Sequence, residues 1–159
     1  MTVRIAPAPP DFDDWTGLHK LLTGAFSYME GRIDPPSSLN RLTPTSLAQK
    51  ARSEILLLGR DGGRPVVCAF CAPRPPILYL SKIAVAPDCR GRGMLRLVLD
   101  RADRIARDHG LDMIELQTRI ELTENHDRFR AMGFERFEET THPGYTRPTS
   151  VTFRRPVVA

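Results

Sequence analysis

The chain has 159 residues, 41% of them hydrophobic and 26% charged, with a formal net charge of +4. That length gives room for one domain, 1–159, with one substantial core, and the composition is that of ordinary soluble globular proteins. Three cysteines are too few for a disulfide scaffold, no run approaches the ~18 apolar residues of a membrane span, and no basic block or aromatic platform points to nucleic acid.

Met1 to Asp14 lacks a basic region followed by an apolar one, so no signal peptide is visible and a cytoplasmic protein is expected. Thr2 to Ala6 alternates weakly and predicts a first strand, ended by prolines. Asp11, Asp13 and Asp14 are cap candidates for a helix carrying Trp15, Leu18, Leu21, Leu22 and Phe26. Ser27 to Leu42 is polar and Pro-interrupted, a long connection of the kind that carries function or moves. A short helix from Thr43-Pro44-Thr45 to about Arg52 follows. Glu54 to Arg60 and Arg64 to Pro73 read as strands paired through a hairpin turn at Asp61-Gly62-Gly63. Cys68 and Cys71 have C-x-x-C spacing, but nothing completes a metal site and positions three apart on a strand diverge, so both read as packing residues.

The central stretch runs from Leu78 to Gly110. An apolar, β-prone run, Leu78 to Val85, is stopped by Pro87. Arg90, Gly91, Arg92 and Gly93 make a loop. A helical pattern follows, apolar at Met94, Leu97, Val98, Ala102, Ile105 and Ala106, with Asp100/Arg104 and Asp103/Arg107 as i,i+4 pairs on its outer face. The first turn of a helix presents unpaired N–H groups and a positive dipole end, so such a loop suits phosphate. A solvated basic turn capping a helix is the other reading. After Gly110 come a strand Met113 to Thr118, a short helix Thr123 to Met132, a strand from Phe134 to Glu139, a turn at His142-Pro-Gly-Tyr145 and a last strand Val151 to Arg154.

Two landmarks in this order resemble the GNAT superfamily of acyl-CoA N-acyltransferases. The family's cofactor loop reads Arg/Gln-x-x-Gly-x-Gly/Ala; Arg90 and Gly93 match, and Leu95 fills the last place. Asn125 to Phe134 is similar to the family's second landmark, an asparagine, a short helix and a terminal Gly-Phe. The resemblance implies an α/β fold with a mixed, mostly antiparallel central sheet flanked by helices on both faces. It implies acetyl-CoA as co-substrate, with no metal, transferring acetyl to the primary amine of a small molecule or peptide. It implies cofactor contacts from Ile83, Ala84, Val85, Arg90, Gly91, Arg92, Gly93, Met94, Leu95, Asn125 and Phe129. In the family the region between the first two helices lines the acceptor site, which points to Tyr28, Glu30, Arg32 and Asp34. A homodimer is left open; no nucleic-acid or membrane partner is expected.

Acyl transfer to an amine requires that the amine lose a proton, that the oxyanion find donors, and that the thiolate leave. The resemblance gives the oxyanion to backbone amides around Ile83 to Val85. The tyrosine that many relatives carry as general acid is here Phe129, and their strand carboxylate falls at Gln117. Glu115, two residues away on the same face, is then the base candidate, with His126, His142 and Glu121 competing, and Tyr145 is the substitute acid. A non-catalytic acyl-CoA-binding or sensing module is the alternative from another class.

Overall fold

The structure, a computed structural model, describes residues 3–159. Its elements in chain order are β1 (Ile5–Pro7), α1 (Trp15–Ala25), α2 (Pro44–Ser53), β2 (Ile55–Asp61), β3 (Arg64–Arg74), β4 (Ile77–Val85), α3 (Met94–Asp108), β5 (Met113–Arg119), α4 (Thr123–Ala131), β6 (Glu135–Thr140) and β7 (Ser150–Pro156). The expected first strand begins later than Thr2, which lies outside the described residues. Local chemistry sets most boundaries. The Asp14 carboxylate accepts from Gly17 N–H at 3.0 Å and starts α1. Thr43 and Ser46 form a capping box at α2, with Pro44 in its first turn. Gly62 and Gly63 both have positive φ, +57° and +86°, which a tight two-residue hairpin between twisted strands needs.

The strands form one seven-stranded sheet in the order β1-β2-β3-β4-β5-β7-β6. Every neighbouring pair is antiparallel except β4 with β5, the parallel pair that the long helix α3 connects. The sheet is therefore mixed and mostly antiparallel. One face carries Leu56, Leu58 and Phe70 and packs under α1 and α2; Lys50 of α2 lies over the Phe70 ring. The other face carries Leu57, Leu78, Ile114 and Phe153, all buried under α3 and α4. Cys68 and Cys71 are fully buried, and burial pushes both thiols up to about 12, as packing residues require. Among the described residues no helix is long and apolar enough to cross a membrane, and no group of three or more His, Cys, Asp or Glu could hold a metal.

Helix α3 departs from its expected phase. Leu97 is 41% exposed, whereas Leu99 and Asp103 lie on the buried face. At ~100° per residue, Leu97 sits about 140° round the helix from Ala102, the middle of the buried arc. Asp103 consequently does not pair with Arg107 on the outside. Its carboxylate takes the guanidinium of Arg155 in a two-pronged pair, 2.8 and 2.9 Å, with both side chains under 10% exposed (7% and 5%). It also accepts from Val158 N–H at 3.2 Å, fastening the C-terminal strand and tail to α3.

Removing one member of a buried pair strands the other charge, which costs about 3–5 kcal/mol. Asp103→Ala should therefore lower the urea midpoint sharply, while Asp88→Ala, which breaks only the exposed Arg64–Asp88 pair, should leave it unchanged. Equal midpoints for the two variants would show that the buried pair contributes nothing special.

Candidate active site

The site begins where β4 and β5 part. They pair from Ile77↔Met113 to Leu80↔Leu116 and then separate, although β4 continues to Val85 and β5 to Arg119. A bulge helps turn β4 away: between Cys68↔Ala84 and Phe70↔Ser81 the strand carries one extra residue, and Lys82 adopts φ +51°. Ser81 to Val85 therefore present backbone N–H and C=O groups toward β5 with no strand to meet them. Between the two strands opens a cleft of about 1180 Å³.

One end of this cleft is the start of α3. Gly93 is its N-cap, at φ +75°, and no side chain caps the exposed N–H groups behind it. A Cβ built on Gly91 or Gly93 would meet nothing within 4 Å, so the space over the helix start is open. Of the residues expected at the cofactor, Ile83, Ala84, Val85, Arg90, Gly91, Gly93, Met94, Leu95, Asn125 and Phe129 all line the cleft. Arg92 does not. Arg90 spends one N–H on the Ala25 carbonyl at the end of α1, 3.1 Å away. Two further arginines reach this end of the cleft, Arg96 in the first turn of α3 and Arg128 in α4, while Arg41 and Arg119 line its other side. Arg128 shares a helical face with Asn125, Phe129 and Met132, at i, i+3, i+4 and i+7, a spacing that was open to reading.

The long connection between α1 and α2 closes the other side, through Tyr28, Met29 and the run Pro35 to Arg41. Tyr28 accepts a hydrogen bond from Asn125 Nδ2 at 3.1 Å. Glu30, Arg32 and Asp34 do not line the cleft. Arg32 pairs with Glu124 at 2.8 Å, and Asp34 accepts from the Tyr145 hydroxyl at 2.5 Å and from Arg147 at 3.1 Å. Arg119 donates to the carbonyls of Pro35 and Pro36, at 2.9 and 3.2 Å. This connection is thus strapped to β5, α4 and the β6–β7 loop.

Neither expected acid–base residue stands in the cleft. Glu115 belongs to the cross-strand row Tyr79–Glu115–Arg154, below the point where the strands part, and Arg154 holds its carboxylate at 2.7 Å. Tyr145 points at Asp34 outside the cleft. His126 is buried against Phe153 with Nε2 at the Arg119 carbonyl, and Glu121 accepts from Asp34 N–H. Of the competitors only His142 lines the cleft. Burial and then the nearby Arg119 hold its imidazole below the usual value, against a smaller pull from Glu121. Lys82 also lines the cleft, and burial, then Lys50, lowers its ammonium.

The Asp34 carboxylate raises the Tyr145 phenol above its ordinary value, chiefly by accepting its hydrogen bond. In a spectrophotometric titration of the three tyrosines, Asp34→Asn should move one phenol down toward ~10. A titration curve identical to wild type would remove this contact from solution.

Comparison with known proteins gives the site a setting. The sequence model described as the acetyltransferase (GNAT) family matches residues 15–134. No curated protein matches the sequence. The PaiA N-acetyltransferase of Thermoplasma acidophilum, solved in complex with coenzyme A, superposes with a TM-score of 0.80 at 12% identity, covering 98% of this chain and 99% of that one. The ribosomal-protein-S18-alanine N-acetyltransferase of Escherichia coli gives 0.71 at 15%, covering 99% and 96%. A GNAT acetyltransferase from Elizabethkingia anophelis with acetyl-CoA bound gives 0.68 at 16%, covering 97% of each chain. At such identities these structures speak for the fold alone. The family match, in contrast, spans three quarters of the sequence and both landmarks, and the chain belongs to the GNAT family of acetyltransferases.

Proposed function

We propose that this acetyltransferase transfers acetyl from acetyl-CoA to the primary amine of a small molecule or peptide by direct attack on the thioester. The observation that carries the reading is the unpaired edge of β4, Ser81 to Val85, lying beside an uncapped helix start at Gly93. An amide-bearing pantetheine arm can complete that edge as an added strand would. The N–H groups of Met94 to Arg96, with Arg96 and Arg128, suit the diphosphate. When bound, the co-substrate supplies the activated acyl group.

The protein's own part is to place the amine, hold the developing oxyanion and take a proton. Backbone N–H groups around Ile83 to Val85 are the donors for the oxyanion. The amine nitrogen forms a bond to the thioester carbon, the C–S bond breaks, and sulfur departs with the electron pair as thiolate. The amine proton goes to His142. Its backbone N–H donates to Thr149 Oγ1 at 2.9 Å, its ring Nδ1 meets the same oxygen, and that oxygen lies 3.4 Å from the Thr140 carbonyl. The arrangement is satisfied when Oγ1 accepts both N–H groups and donates to Thr140, which leaves the lone pair on Nε2.

Two experiments test this. Gly93→Glu has room for its side chain, but it puts a carboxylate where phosphate should sit and a side chain on φ +75°. Calorimetry should show coenzyme A binding lost, and retained binding would remove the central claim. For His142 the base is the neutral form. With a pKa held below ~6.5, kcat/KM should stay level through neutral pH and fall only as the pH drops through that lowered value. His142→Gln should lose this acid limb and about 10²-fold in kcat. A binding-only module would take up coenzyme A and release no thiol with any amine.

A further inference from the structure

The acetyltransferase reading leaves the acceptor open, and the charges around the cleft narrow it. Arg41, Lys82 and Arg119 line the side formed by β4, β5 and the α1–α2 connection, whereas Arg96 and Arg128 stand at the α3 and α4 side. The only carboxylate in the lining is Glu124, and Arg32 already holds it at 2.8 and 3.0 Å. The neighbouring carboxylates are each engaged through at least one oxygen, and the second oxygens of Glu54 and Glu121, buried without a partner, belong to residues that do not line the cleft. Glu54 is paired with Lys50 at 2.7 Å, Glu115 with Arg154 at 2.7 Å, Asp34 with Tyr145 and Arg147, and Glu121 with the Asp34 N–H. A cationic acceptor would meet positive charge with no unpaired carboxylate in the lining.

Lys82 is the pointed case. It is half-buried in the β4 bulge, at a φ of +51° that side chains rarely adopt, and such an outlier in a cleft is grounds for a functional hypothesis. Its ammonium makes no hydrogen bond among the described residues, and the ammonium of Lys50 repels it more than Glu54 attracts it. A half-buried cation with no partner at hydrogen-bond distance calls for an anionic group from a ligand. Acetyl-CoA does not bring one here, because its anionic groups are phosphates that belong at the α3 start and its thioester end is neutral.

Resting on the acetyltransferase reading, we propose that the acceptor is a small primary amine that also carries a carboxylate, held by Lys82 with Arg41 at the rim of the cleft. The amine is then the only positive group the acceptor brings, and it loses that charge to react. Polyamines and aminoglycosides are repelled by the same cations.

The test is thiol release from acetyl-CoA by the intact protein, with matched amines as probes. Standard amino acids are each compared with the carboxamide and with the amine left by decarboxylation, alongside spermidine and kanamycin. The expected result is a kcat/KM for at least one carboxylate-bearing amine that exceeds its carboxamide by about tenfold or more. Lys82→Met should raise KM for that amine by a similar factor while KM for acetyl-CoA stays put, and Lys82→Arg should restore most of it. Turnover of spermidine, kanamycin or a carboxamide as good as that of every amino acid overturns the proposal and leaves the acetyltransferase reading standing. So does coenzyme A binding with no turnover of any carboxylate-bearing amine. A Lys82→Met variant that loses kcat at unchanged amine KM places the ammonium on the oxyanion and also overturns it. Failure to bind coenzyme A or release thiol at all overturns the reading beneath it.

Discussion

The site depends on one departure from regular pairing, the separation of β4 from β5 after Leu80 and Leu116. A strand pair that stops in mid-sheet leaves two rows of N–H and C=O groups facing each other across a gap, and buried backbone groups without partners are costly. The sheet limits that cost by keeping each strand bonded on its other side. β4 stays paired with β3 out to Val85↔Val67, and β5 is paired with β7 along its whole length, Met113 to Arg119. Only the inner ladder is given up. Backbone groups facing such a gap are satisfied by water or by a ligand, and the gap is an edge that another amide chain can complete. The bulge at Lys82 is part of the same device, because one extra residue changes the direction of β4 at the point where the strands part.

A gap in a sheet would close if the flanking elements could slide, and the flanks are tied at two levels of strength. On the α3 face the tie is buried: Asp103 with Arg155, reinforced by Val158 N–H, joins the helix after the Arg90–Gly93 loop to the strand beside β5. On the α1–α2 face the ties are exposed side chains. Arg32 reaches Glu124, Asp34 reaches Tyr145 and Arg147, and Tyr28 meets Asn125. Exposed pairs of this kind contribute little individually. The α3 side of the cleft is thereby built on a rigid frame, while its α1–α2 side is covered by a connection that can be displaced without breaking the core.

The same division explains what could be read in advance. Elements made by local periodicity and local caps were legible: the Gly62-Gly63 hairpin, the Asp14 and Thr43 helix starts, and the Arg90–Gly93 loop opening α3. That Ile83 to Val85 and the start of α3 share one cleft was legible too, since a single short loop joins them in sequence. Facts that depend on a distant partner were not. Asp103 resembles any acidic residue on an outer helix face until Arg155, 52 residues away, is seen opposite it. Alternation placed Glu115 on the correct face of β5, but only the depth at which β4 leaves β5 tells Gln117 in the cleft from Glu115 below it. Tyr145 sits on a turn whose direction no local pattern sets, and it swings to Asp34. A lysine at positive φ has no sequence signature, so Lys82 was invisible.

Phe129 remains the sharpest difference from the family pattern, and the structure makes chemical sense of it. The ring lines the cleft and packs against Phe134 and Phe153, so the position keeps its packing role without a hydroxyl. The two proton transfers of acyl transfer are unequal in difficulty. A thiol has a pKa of ~8.5 and departs readily as thiolate, especially among cations, whereas an alkylamine at ~10.4 is almost wholly protonated at neutral pH. An acid for the sulfur is therefore dispensable, and a base for the nitrogen is not. A cleft rich in cations helps on both counts, because it favours the departing anion and disfavours the ammonium form of the attacking amine. Burial, and after it Arg119, also holds the His142 imidazole below its usual value, so the residue stays able to accept a proton where the family's strand carboxylate is here Gln117.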